Sequence, residues 1–159
     1  MFSIKYKIID EAMAFYKVGS NIYNVCINKI QNNHNISNED FYKLITAVVN
    51  LALSIELFIK SYIGDVYKHD LKELFEQLDN SIQQAIIEAM IMLYNQRNMK
   101  FNEDSFWEYL ERNKNAFINW RYYYQNGKNV DITFLNDFAT ILYNLSSKIK
   151  QKTLTNSQE

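Results

Sequence analysis

Proline is missing from this chain of 159 residues, and glycine occurs three times, at Gly19, Gly64 and Gly127. Proline breaks helices, and glycine opens the tight turns that sheets need. Their scarcity excludes a chain of many short strands and points to long helices joined by a few polar loops. Cys26 is the only cysteine, so no internal disulfide is possible. It falls on an apolar helical stripe and reads as a buried, inert thiol rather than a nucleophile or ligand. Histidine occurs only at His34 and His69, neither in a Glu-x-x-His nor a His-x-x-x-His arrangement. A metal centre needs several ligands converging at fixed spacing, so no metal and no cofactor is expected. The three glycines lie too far apart for a phosphate loop, and there is no nucleophile elbow.

An excess of one charge is also missing. Seventeen Lys and Arg face eighteen Asp and Glu, for a net charge of -1. Such a balance gives no general attraction to nucleic acid or to an anionic membrane. The cluster Lys148, Lys150 and Lys152 is a local exception, read as a solvated helix end that complements the helix dipole. Arginine is rare, at Arg97, Arg112 and Arg121, and asparagine is abundant, a bias expected of AT-rich codons. Asp10 and Glu11 stand where a signal peptide needs an apolar core. The most apolar stretch, 41–63, is interrupted by Lys43, Asn50, Ser54, Glu56 and Lys60, so it reads as a core helix and not a membrane span. A cytosolic protein with no membrane partner is expected.

What the chain does have is apolar mass. It is 48% hydrophobic and 15% aromatic, which excludes disorder, and its length suits one domain that needs no disulfide. Residues recurring every three or four positions mark the helices. The first is expected over about 8–30, with Ile8, Ala12, Phe15, Tyr16, Gly19, Ile22, Tyr23, Cys26 and Ile30 on one face. The second covers about 39–63, opened by a Ser37–Asp40 capping box and closed by Gly64 as a left-handed cap. Val49, Leu53 and Leu57 widen its stripe, as befits the central helix of a bundle. Asp70 and Glu73 open a third helix with Leu71, Leu74, Phe75 and Leu78 inward. A fourth spans about 82–97, with Ile82, Ala85, Ile86, Ala89, Met90 and Leu93 inward. A helical stretch at 105–125, interrupted near Asn113, has Phe106, Leu110, Phe117, Trp120 and Tyr124 inward. After a turn at Asn126, Gly127 and Lys128, Asp131 caps a last helix to about Lys150. The fold class is therefore all-α, an up-and-down bundle of four to six helices over 1–150, with a polar, disordered tail over 151–159.

A few polar residues stand among apolar ones. Glu56 and Lys60 are four apart, with the acid N-terminal, the favoured order for a helical ion pair. His69 and Asp70 begin the third helix. Arg121 lies between Trp120 and the run Tyr122, Tyr123, Tyr124 and shares a face with Phe117, so its guanidinium is expected to be partly buried. A buried charge is costly unless paired. A network is therefore expected, joining Glu56 to Lys60 or Arg121 with His69 nearby, that either fixes helix register or lines a site. Tyr122 and Tyr123 suit a core or a subunit interface, or a stacking platform for bases.

Leu53-Ser54-Ile55-Glu56-Leu57-Phe58-Ile59-Lys60-Ser61-Tyr62, then Gly64, then Lys68-His69-Asp70-Leu71 and Leu74, resembles the middle of a HEPN domain. Trp120-Arg121-Tyr122-Tyr123-Tyr124 is similar to that family's aromatic-Arg-Tyr helix. The resemblance covers about 5–150 and implies a HEPN-like bundle, usually a homodimer. It further implies a toxin–antitoxin or phage-defence setting, a nucleotidyltransferase-like protein partner, and RNA or a nucleotide as ligand. The family's ribonucleases work without metal and carry a His four to six residues after their Arg. Here those positions after Arg121 are Gln125, Asn126 and Gly127, and no His follows His69. Asn126 cannot take a proton as a general base does. The resemblance thus implies a degenerate, dimeric binding or assembly module first. Its alternative is a divergent ribonuclease in which Arg121 and His69 act, with Glu56, Lys60, Asp70, Tyr122 and Tyr123 around them.

Overall fold

The computed structural model describes residues 2–32, 35–64, 66–123 and 129–156. Among these the chain is all-helical, without a strand. In order come α1 (Phe2–Gln31), α2 (Asn38–Ile63), α3 (Leu71–Phe75), α4 (Asn80–Gln96), α5 (Glu103–Asn113), α6 (Ala116–Arg121) and α7 (Ile132–Asn156). His34, Asp65, Tyr124 and the turn at Asn126, Gly127 and Lys128 lie outside the described residues. Helix α7 continues past the boundary expected at 150.

The centre of the molecule is α2, which packs against α1, α3, α6 and α7. Its start follows the expected chemistry. The Ser37 Oγ accepts from the Asp40 amide at 3.1 Å, and the Asp40 carboxylate accepts from the Ser37 amide at 3.2 Å. Lys29 at the end of α1 donates to the same carboxylate at 2.6 Å, tying the two long helices together. These contacts, Lys29 first, hold the Asp40 carboxyl down at about 2. Burial pushes the neighbouring Cys26 thiol up. The C-terminus of α2 differs from expectation. Gly64 has φ 98° and ψ -171°, so its φ is positive but its ψ lies outside the left-handed helical well. The turn still requires glycine, because L side chains avoid this region.

Glycine has a different role at Gly19. A Cβ there would lie 2.9 Å from Leu51 Cγ, 3.0 Å from Leu51 N and 3.2 Å from the Ala47 carbonyl oxygen. The missing side chain lets α1 approach the backbone of α2, over a floor of Ala47, Val48, Leu51 and Ala52 that is fully buried.

The remaining helices close this core with aromatics. Phe75 of α3, Phe106 of α5 and Phe134 and Phe138 of α7 are fully buried and meet in tilted and edge-on pairs. Such pairs add to their area burial. Ala85 is the exception on α4: it faces outward, and Ile87 and Tyr94 take inner positions instead. Helix α4 ends in a Schellman motif around Asn98 at φ 58°, with Asn98 N–H to the Asn95 carbonyl and Met99 N–H to the Tyr94 carbonyl, each 3.0 Å.

The expected interruption near Asn113 separates α5 from α6, and Asn113 is fully buried there. Its amide nitrogen donates to the Tyr109 carbonyl at 2.7 Å, and its oxygen accepts from the Asp131 amide at 2.8 Å. It thereby pins the start of α7, where Asp131 caps by accepting from Phe134 N at 3.1 Å. Helix α2 is long and apolar enough to cross a membrane by length and composition, but 56% of its most apolar window is buried inside the protein.

Candidate functional site

The site is assembled from the last third of α2, the segment before α3, and α6. Four-residue spacing puts Glu56 and Lys60 on one face of α2, and Lys60 Nζ lies 2.8 Å from Glu56 Oε1. Glu56 is 3% exposed and the Lys60 side chain 12%, so this pair is largely out of water. A carboxylate so placed needs more than one donor.

The second donor comes from His69, and backbone chemistry positions it. Asp70 Oδ1 accepts from the amides of Lys72 and Glu73 at 2.9 and 3.0 Å, capping α3. Leu71 N–H reaches the Lys114 carbonyl at 2.9 Å, fastening α3 to the turn between α5 and α6. His69, one residue before the cap, is thereby held over α2 with Nδ1 3.0 Å from both oxygens of Glu56. A carboxylate at Nδ1 keeps the proton on that nitrogen and leaves Nε2 of the neutral ring as the acceptor. The His69 side chain is 51% exposed.

Helix α6 supplies the third part. The Phe117 ring lies 5.9 Å from the His69 ring, and the Arg121 guanidinium sits 5.1 Å from the same Phe117 ring. The guanidinium also lies 4.7 Å from the Tyr122 ring. Glu56, Lys60, His69 and Arg121 thus share one corner of the molecule, bridged by Phe117. Arg121 departs from expectation in being exposed, not partly buried. Of the two partners expected for Glu56, Lys60 is the one in place, with His69 beside it. A short helix leaves its last residues at the surface, and aromatic faces compensate a guanidinium without taking it out of water.

Around Arg121 the surface is aromatic. Tyr122 is 40% exposed and Tyr123 is half-buried. The Tyr123 ring meets Trp120 at 5.0 Å and, edge-on, Phe41 at the start of α2 at 5.5 Å. Phe41, Tyr42 and Ile118 are exposed beside them. The bridging role of Phe117 and the exposure of Phe41 and Tyr42 were not read from sequence. The signal for the first was its four-residue spacing from Arg121; the second left none, because Phe41 continues the inward stripe of α2. Among the described residues no three His, Cys, Asp or Glu are grouped to hold a metal ion.

Chemically the corner offers a proton acceptor on an imidazole, a guanidinium suited to a carboxylate or phosphate, and aromatic faces for packing or stacking. Comparison with protein-family models, curated proteins and solved structures gives no match.

Proposed function

We propose that this chain is a HEPN-like, degenerate and non-catalytic module that works in the cytoplasm as a homodimer. It acts as a binding or assembly unit of the toxin–antitoxin or defence type, with a nucleotidyltransferase-like protein as its partner. The observation that carries this reading is the aromatic–arginine surface at the start of α2 and the end of α6, where Phe41, Tyr42, Arg121 and Tyr122 are exposed and Trp120 and Tyr123 are half-buried beside them. Tyr, Trp, Phe and Arg are the residues that dominate protein interfaces, and single-chain proteins seldom leave them clustered at the surface. Light scattering on the wild type and on Tyr122→Glu tests it. A wild-type dimer that becomes monomeric in the variant, at unchanged melting temperature, supports the reading. A monomeric wild type at every concentration removes it.

A second reading, a divergent metal-independent ribonuclease, is favoured by one observation: His69, oriented by Glu56, rests on the same Phe117 ring as Arg121. In it His69 is the proton acceptor and Arg121 holds the phosphate, with RNA or a nucleotide as substrate. End-labelled RNA incubated with the protein in excess chelator decides between the two. Cleavage abolished by Arg121→Ala and by His69→Ala establishes the nuclease, and intact RNA leaves the binding module.

A further inference from the structure

A groove of about 350 Å³ opens between the C-terminal end of α2 and the turn joining α3 to α4, walled by Tyr62, Ile63, Gln77, Asp79 and Ile82. Its volume is at the small end of ligand sites. Its chemistry is one-sided. Asp79 holds the N-cap position of α4, yet its carboxylate makes no capping bond. The first turn of α4 is closed instead by the Asp79 carbonyl, which accepts from the amides of Ile82 and Gln83 at 2.9 and 3.0 Å. The carboxylate is left to the groove.

Gln77 Nε2 gives one of its two N–H groups to the Glu73 carbonyl at 2.9 Å, and its amide oxygen remains available as an acceptor. Helix α2 ends here and α4 begins here, so the two helix dipoles oppose each other and the charge of the groove is set by Asp79. Among the described residues no lysine or arginine lines the groove. Burial raises the Tyr62 phenol, so it stays neutral, and its ring joins Ile63 and Ile82 as an apolar flank.

We propose that this groove binds a small aliphatic amine. The ammonium sits against Asp79 and the Gln77 amide oxygen, and the alkyl body lies along Ile63, Ile82 and the Tyr62 ring. An anion would face the Asp79 carboxylate, and a neutral alkyl chain would leave that carboxylate without a partner. The site lies apart from the corner around His69 and Arg121 and does not depend on what that corner does.

The probe is 1,4-diaminobutane, titrated into the full chain and followed by NMR, with 1,4-butanediol as the uncharged match. The expected result is saturable shifts of the Ile63 and Ile82 methyls and of the Gln77 side-chain amide with the diamine and none with the diol. Asp79→Asn should weaken binding about tenfold or more. Asn serves an N-cap as well as Asp, so the melting temperature should hold. Ile82→Lys, which brings its own ammonium into the groove, should abolish the shifts. Equal binding by wild type and Asp79→Asn, equal shifts with the diol, or no saturable shift with the diamine would each overturn the proposal.

Discussion

Glu56 and Arg121 are both charges set in apolar runs, yet one is buried and the other stands in water. Glu56 lies in the middle of the central helix, where Lys60 is delivered by helical spacing and His69 by the capped start of α3. Both donors are in place as the backbone folds. Arg121 ends a six-residue helix and, among the described residues, meets aromatic faces but no ion-pair partner. A charge enters the core only where local geometry brings enough partners; otherwise it remains outside and its neighbours stay exposed with it. The interior of α2 is therefore the stabilising region, and the end of α6 stands at the surface.

The sharpest way to break that comparison is truncation in each region. Phe58→Ala, at a fully buried position of α2, should cost about 3–5 kcal/mol, read from chemical unfolding. Tyr122→Ala, at the C-cap of α6, should cost less than about 1 kcal/mol. Similar losses at the two sites would mean that the α6 surface is part of the core. Next comes Glu56→Ala, which strands Lys60 beside an apolar helix; a loss of about 3 kcal/mol is expected. Arg121→Ala should stay within about 0.5 kcal/mol.

Gly19→Ala sharpens the comparison within α2. Alanine favours the helix, but its Cβ meets the Leu51 backbone, which cannot yield as a side-chain tip can. A net loss of about 1 kcal/mol or more in unfolding free energy is expected. A stabilised variant would show that the two helices are not in such close contact. At the outer end of the scale, Lys43→Ala removes only an exposed pair with Glu39 and should leave the melting temperature unchanged.

A pH series separates the Asp40 junction from both regions. Its carboxyl sits at about 2 in the folded chain, held there first by Lys29 and then by Ser37. An unfolded aspartate titrates near about 3.9. The stabilisation is thus complete above about pH 4 and is lost as the pH falls towards 2. The stability gap between wild type and Asp40→Asn should shrink over that window. A gap that stays constant down to pH 2 would mean that the carboxylate is not what ties α1 to α2.

Much of the helical order was legible because it rests on local rules. The capping box at Ser37, the caps at Asp70 and Asp131 and the interruption at Asn113 stand where short-range hydrogen bonding places them. The Glu56–Lys60 pair was legible for the same reason. Arg121 was not, since its burial depends on where α6 stops and on what covers it. Phe41 is exposed although it continues the apolar face of α2, because a stripe of apolar residues shows which face is apolar and not how far the neighbouring helices extend over it.

Sequence by itself thus determined an all-helical chain with α2 at its centre. Helical periodicity, end caps and the want of proline are properties of residues a few positions apart, and no distant contact is needed to read them. Only the tertiary structure decided that His69 and Arg121 meet at Phe117, that Gly19 seats α1 on Leu51, and that Arg121 and Tyr122 stand at the surface. Those contacts join residues far apart in the chain, and packing selects among arrangements that the same periodicity permits.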